Sequence, residues 1–267
     1  MPTFGICAGP EQTPAMQRAG FDYVEGNSQA YFRGKMDDAA FAADGGLDSY
    51  AKASVLPMPA CNMLVPGDVA IVGDAGRVDP EAWRAYIGRL LRRAGEAKVE
   101  TVVFGSGAAR GVPEGWDREA AKGQILEFLR YAGPLAEEAG VVIAIEPLNR
   151  GECNILNGVA EASGYAKEVA SPGVRVLVDS YHSWLEDEQA ADIAANIDLV
   201  RHVHVADKDG RVAPGESGDV VAKYHEFFGV LKRGGYDGRI SIEGKVDFDA
   251  EALRRTLGFL KEQWAAA

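Results

Sequence analysis

Short runs of β-branched and aliphatic residues alternate along the chain with longer stretches in which apolar residues recur every three or four positions. The first pattern predicts strands and the second predicts amphipathic helices. The strand-like runs are 3–7, 21–25, 54–56, 100–104, 141–145, 174–178, 202–205 and 239–243. The clearest helix is 80–98, where Asp79 can cap, Pro80 suits the first turn, and Trp83, Ile87, Leu90, Leu91 and Ala94 form one apolar stripe. Further helices are predicted over 124–139, 159–169, 224–231 and 250–264. Glycines that can end a helix and turn the chain into a strand follow at Gly20, Gly140 and the pair Gly234-Gly235.

Strictly alternating β and α segments predict a parallel sheet with right-handed crossovers. Eight repeats predict closure into one α/β architecture, a single (β/α)8 TIM barrel spanning residues 1–267 as one domain, with an open doubly wound sheet as the alternative. The length of 267 residues accommodates such a barrel, which needs roughly 250. No GxGxxG motif follows the first strand, which argues against a dinucleotide-binding sheet. The segment 26–80 is rich in Gly, Asp and Pro and is expected to form long active-site loops instead of full barrel helices.

In a barrel the site gathers at the C-terminal ends of the strands. Titratable residues stand there on four successive predicted strands: Glu146, Asp179, His204 within His-Val-His-Val, and Glu243. They are separated by 33, 25 and 39 residues, each close to one βα unit. Three carboxylates and an imidazole converging on one point would repel and resist ionisation unless a cation joined them. Oxygen-rich ligation with one nitrogen suits a divalent ion, with Mn²⁺ favoured, Mg²⁺ or Co²⁺ possible and Zn²⁺ less so. His202 and His204 share one face of their strand, so one can ligate while the other supports it or sits satisfied in the core. His182 lies at the same mouth, whereas His225 falls in a predicted helix and reads as structural.

Charge narrows the partners. Lys and Arg number 28 against 40 Asp and Glu, a net charge of −12, which disfavours nucleic acid and anionic membrane surfaces. No uncharged apolar run of about 18 residues suggests a transmembrane helix. The N-terminus has no basic n-region, and its apolar stretch breaks at Gly9-Pro10, so no signal peptide is expected. The three cysteines, Cys7, Cys61 and Cys153, form no CxxC pair, and a reduced cytoplasmic setting fits.

Several strings carry a likeness. They are Phe104-Gly-Ser-Gly-Ala-Ala-Arg110, Ile145-Glu146-Pro-Leu-Asn-Arg150-Gly-Glu152, Val178-Asp179-Ser-Tyr-His182, His202-Val-His204-Val-Ala-Asp207, Pro214-Gly-Glu-Ser-Gly and Ile242-Glu243. In their order they resemble the xylose-isomerase-like sugar isomerase/epimerase family, nearest to ketose 3-epimerases of the D-tagatose and D-psicose type. The resemblance implies a free ketose as substrate. It also implies that Glu146, Asp179, His204 and Glu243 bind metal, that Glu146 and Glu243 double as acid and base, and that Glu152, His182 and Arg211 hold substrate oxygens. Epimerisation at C3, or isomerisation, would pass through a cis-enediolate. Homologous barrels often assemble, so a homodimer or homotetramer is a further expectation.

Hydroxypyruvate-isomerase-like and inosose-dehydratase-like enzymes would share this barrel and metal site. Phosphorylated substrates are disfavoured because no Gly-rich cradle follows the last two strands. An endonuclease IV-like DNA-repair enzyme would need more than four histidines and a basic groove, and a non-catalytic barrel would have little use for both glutamates.

Overall fold

Successive side chains of a strand point to opposite faces, and here that alternation separates two environments within every barrel strand. The computed structural model describes residues 1–218 and 220–267, with side chains for all of these except Tyr50 and Ala51. Its strands are β1 (Thr3–Cys7), β2 (Tyr23–Asn27), β3 (Ala60–Asn62), β4 (Thr101–Phe104), β5 (Val142–Ile145), β6 (Val174–Asp179), β7 (Val200–Val205) and β8 (Arg239–Ile242). All neighbours pair in parallel in chain order, and β8 returns to β1 to close the barrel.

Residues such as Val102, Phe104, Ile143, Ile145, Val176 and Ile242 face outward and join the helices in the main apolar core. The inward set is different. Val103, Ala144 and Leu177 form a small buried cluster of their own, and two residues further along the same strands come Gly105, Glu146 and Asp179. Period-two alternation therefore carries the inward face from an apolar plug to the polar mouth in a single step.

The best-patterned helices form where expected. Helix Pro80–Glu96 starts at Asp79, whose carboxylate accepts from Glu81 N (3.0 Å) and Ala82 N (3.1 Å). Its buried Trp83 packs edge-on against Phe128 of helix Arg118–Ala139 with ring centroids 5.5 Å apart. That second helix begins earlier than periodicity suggests because Asp117 caps it, accepting from Ala120 N at 2.7 Å. Helix Val159–Val169 matches its predicted bounds, and Val221–Arg233 and Ala250–Ala266 extend theirs slightly. Gly20 and Gly140 end their helices at φ 97° and 71°, while in the 234–235 pair the second glycine takes the left-handed turn, at φ 77°.

One strand is misplaced by the sequence pattern. Residues 54–56 form a turn in which Ser54 Oγ donates to Leu56 O (2.8 Å) and accepts from Leu56 N (3.0 Å). The third strand is Ala60–Asn62, just past Pro57 and Pro59. Prolines keep the preceding segment out of the ladder, and a three-residue strand without β-branched residues has no periodicity to detect. The surrounding region holds short helices at Ser28–Phe32, Asp38–Ala43 and Asp48–Ala51 in place of one barrel helix. Among the described residues no helix is long and apolar enough to cross a membrane.

Candidate metal centre and active site

The C-terminal ends of β5 to β8 bring Glu146, Asp179, His204 and Glu243 together, with one ligand atom from each lying within 4.8 Å of all the others. His204 Nδ1 is 3.2 Å from Glu146 Oε1 and 3.4 Å from Glu243 Oε2. Asp179 has a divided role. Its Oδ1 caps helix Ser180–Leu185 by accepting from Tyr181 N (2.8 Å), and its Oδ2 is buried with no hydrogen-bond partner.

Two supports aim Glu146. Fully buried Arg110 donates to Phe104 O (2.5 Å) and to Glu146 O (2.6 Å), tying the ends of β4 and β5 together. Gly105 supplies room, since a Cβ there would stand 1.9 Å from Glu146 Oε2.

The residues expected to hold substrate border this cluster. His182 is buried, and its Nδ1 accepts from the backbone N (3.2 Å) and side-chain Nδ2 (2.9 Å) of Asn149. A neutral imidazole accepting at Nδ1 carries its proton on Nε2. That nitrogen has no partner and lies 3.6 Å from Asp179 Oδ2. Asn149 Nδ2 also donates to Glu152 Oε1 (2.9 Å), and Arg211 approaches the same oxygen at 3.4 Å. Arg211 is ion-paired with Glu243, lies 3.6 Å from Asp179 Oδ2 and stacks 4.6 Å over the Tyr181 ring. His182 and Arg211 thus reach the cluster directly, and Glu152 joins it only through Arg211 and Asn149. His225 lies apart on helix Val221–Arg233, where its Nε2 contacts Ala266 O at 2.7 Å.

One residue of this site was absent from the sequence expectations. Glu25, 1% exposed on β2, accepts from His202 Nε2 (2.7 Å), Ser241 Oγ (2.5 Å) and His204 Nε2 (3.0 Å). The available signal was its place at the end of a predicted strand, the same criterion that selected the other four. The structure also settles the two histidines: His204 faces the carboxylates, and His202 sits one pleat deeper on Glu25.

Residues 14–263 match the family model of the xylose isomerase-like TIM barrel. The chain belongs to this family. Its curated relatives include a 3-dehydro-D-guloside 4-epimerase of Escherichia coli (strain K12), 30% identical over 196 residues covering 72% of this chain and 66% of the relative. A ketose 3-epimerase of Arthrobacter globiformis is 30% identical over 132 residues, 49% of this chain and 44% of the relative. The matched stretches thus span less than two thirds of these relatives. In three dimensions a D-psicose 3-epimerase with D-tagatose from Clostridium cellulolyticum H10 superposes with TM-score 0.79 at 16% identity, covering 98% of this chain and 99% of that one. This last likeness concerns the fold.

The electrostatics of the family's barrel mouth here show whether a cation fits. Burial, and then Glu243, push the Glu146 carboxyl up, while burial followed by Glu146 and Glu243 push Asp179 up to about 7. Burial also acts to raise Glu243, but His204 and Arg211 outweigh it and hold that carboxyl at about 2. Burial, then Arg211, push His182 down to about 3, so its ring is neutral near pH 7. Carboxyls crowded until two of them resist ionisation, with one buried oxygen unpartnered, are the donor set a divalent ion would join. The residues present fit such an ion through three oxygens and one nitrogen.

Proposed function

We propose that the chain is a divalent-metal-dependent carbohydrate isomerase that inverts C3 of a free ketose, with Glu146 and Glu243 as acid and base. The observation that carries this reading is the convergence of Glu146, Asp179, His204 and Glu243 within 4.8 Å at the barrel mouth. Family membership and relatives that are epimerases support it. These four residues would hold the ion, for which Mn²⁺ is our assignment, with Mg²⁺ or Co²⁺ able to substitute. Such an ion, when bound, polarises the ketone and makes the adjacent C–H more acidic.

The protein's own groups then divide the proton work. Glu243, kept ionised by Arg211, takes the proton from one face and leaves a cis-enediolate. Glu146, on β5 with β6 and β7 between it and β8, holds a proton more readily and returns one to the other face, inverting the carbon. In the reverse direction the roles exchange. His182 Nε2–H, Arg211 and Glu152 would hold substrate oxygens during both transfers.

The test is incubation with Mn²⁺ and a panel of free ketoses, hydroxypyruvate and 3-keto glycosides in D₂O, followed by NMR. Deuterium at C3 with inversion is the expected result. Label at C1 or C2 would make the enzyme an isomerase, and label at C4 of a keto glycoside would align it with its Escherichia coli relative. No exchange into any substrate would sink the proposal.

A further inference from the structure

His204 has two ring nitrogens facing two different carboxylate environments, and a cation held at Nδ1 leaves the ring's proton on Nε2. Nδ1 looks toward Glu146 and Glu243, and Nε2 looks toward Glu25. We propose that Glu25 is a positioning residue for the metal centre: it holds the Nε2–H of His204 and so presents the Nδ1 lone pair to the cation. This inference rests on the metal-site reading above.

The proton count around Glu25 carries it. An ionised carboxylate only accepts hydrogen bonds, so His202 Nε2, His204 Nε2 and Ser241 Oγ must all donate to it. Ser241 Oγ lies 2.8 Å from the Tyr23 hydroxyl. Because Ser241 directs its own proton to Glu25, it accepts from Tyr23. The chain of donors runs one way and ends on Glu25. Were the His204 ring to carry its proton on Nδ1, the bare Nε2 would face a bare carboxylate oxygen inside the barrel, an unsatisfied and repulsive contact that burial makes costly.

Three features of the barrel interior serve this arrangement. His202 Nδ1 is buried with no partner, so this ring's polar contribution is its Nε2–H to Glu25 and Ser241. Tyr23 reaches Ser241 across the interior because Gly5 has no side chain, and a Cβ there would come 2.4 Å from the Tyr23 ring. Glu25 meets His202 and His204 only through barrel closure, 177 and 179 residues away in the chain. A histidine ligand whose second nitrogen donates to a carboxylate is oriented and made more basic.

Co²⁺ titration of the metal-free protein, followed by its visible d–d absorption, tests the proposal on wild type, Glu25→Gln and Tyr23→Phe. The Gln amide retains the shape of Glu25 but turns one acceptor into a donor, so the Co²⁺ Kd should rise about ten- to hundredfold, with an altered d–d band. Tyr23→Phe also removes a buried bond of the network but leaves the carboxylate, so it should bind Co²⁺ with an unchanged band and little loss of affinity. Wild-type affinity and band in Glu25→Gln would overturn the role of Glu25 alone, as would equal weakening by Tyr23→Phe. Failure of the wild type to bind Co²⁺ would overturn the metal reading itself. If Glu25→Gln does not fold, ¹⁵N NMR of the wild-type protein loaded with Mg²⁺ decides. A slowly exchanging Nε2–H on His204 is expected, and its absence would overturn the proposal.

Discussion

The two arcs of the barrel mouth are built from different materials. β5, β6, β7 and β8 each deliver a titratable side chain to one point: Glu146, Asp179, His204 and Glu243. The arc from β1 to β4 presents Cys7, Asn62 and Gly105, and its one acid, Glu25, lies buried against the histidines. Beside that arc a cavity of about 320 Å³ opens among Cys7, Asn27, Tyr31, Asn62 and Met63. The contrast assigns chemistry to one arc, and shape and support to the other. A closed barrel allows this division because neighbouring strands share a ring of inward positions while their loops vary independently.

The contrast can be broken most directly on the charged arc. Glu146→Gln and Glu243→Gln should each lower kcat by about 10²- to 10⁴-fold or more, with the metal-free unfolding midpoint little changed. Steady-state kinetics and thermal unfolding measure both, and near-wild-type turnover in either variant would end the two-base scheme. Next in size is the effect of the ion on stability. Mn²⁺ at about 1,000 times its Kd should stabilise the fold by about 4 kcal/mol, which for a chain of this size raises Tm by roughly 10 °C. Chelation should reverse the shift and Asp179→Asn should remove most of it. A wild-type midpoint indifferent to divalent ions would count against the centre.

The arc from β1 to β4 offers smaller tests. Gly105→Ala places a methyl where Glu146 Oε2 now sits, and a displacement of about 1 Å costs roughly 10²-fold in kcat. An unaffected kcat would show that this glycine does not support the acid. Smallest is Asn62→Ala, which deletes a 3.4 Å contact to Glu243 Oε1. A bond that long is worth less than about 1 kcal/mol, so kcat/KM should fall by no more than roughly fivefold. A larger loss would move Asn62 onto the chemical arc.

These arcs also differ in how plainly the sequence announces them. On the charged arc, strands rich in Val and Ile run up to Glu146, Asp179, His204 and Glu243, and helix Val159–Val169 keeps its predicted bounds, so both element type and candidate residue were readable. On the other arc, β3 is three residues long behind two prolines, and Ser54 mimics a strand start while forming a turn. Glu25 ends a recognisable strand, but its partners stand on β7 and β8, and nothing near it in the chain names them.

By itself the sequence determined the alternation of strands and helices and the titratable residue types at the ends of β5 to β8. Those properties follow from local periodicity and capping, which neighbouring residues decide among themselves. Tertiary structure alone decided that His204 and not His202 faces the carboxylates, that Arg110 ties Glu146 in place, that Arg211 reaches Glu243, and that Glu25 meets both histidines. Each of these is a contact between strands or loops distant in the chain. Hydrogen-bond partners are chosen by geometry at about 3 Å, which exists only after the barrel has closed.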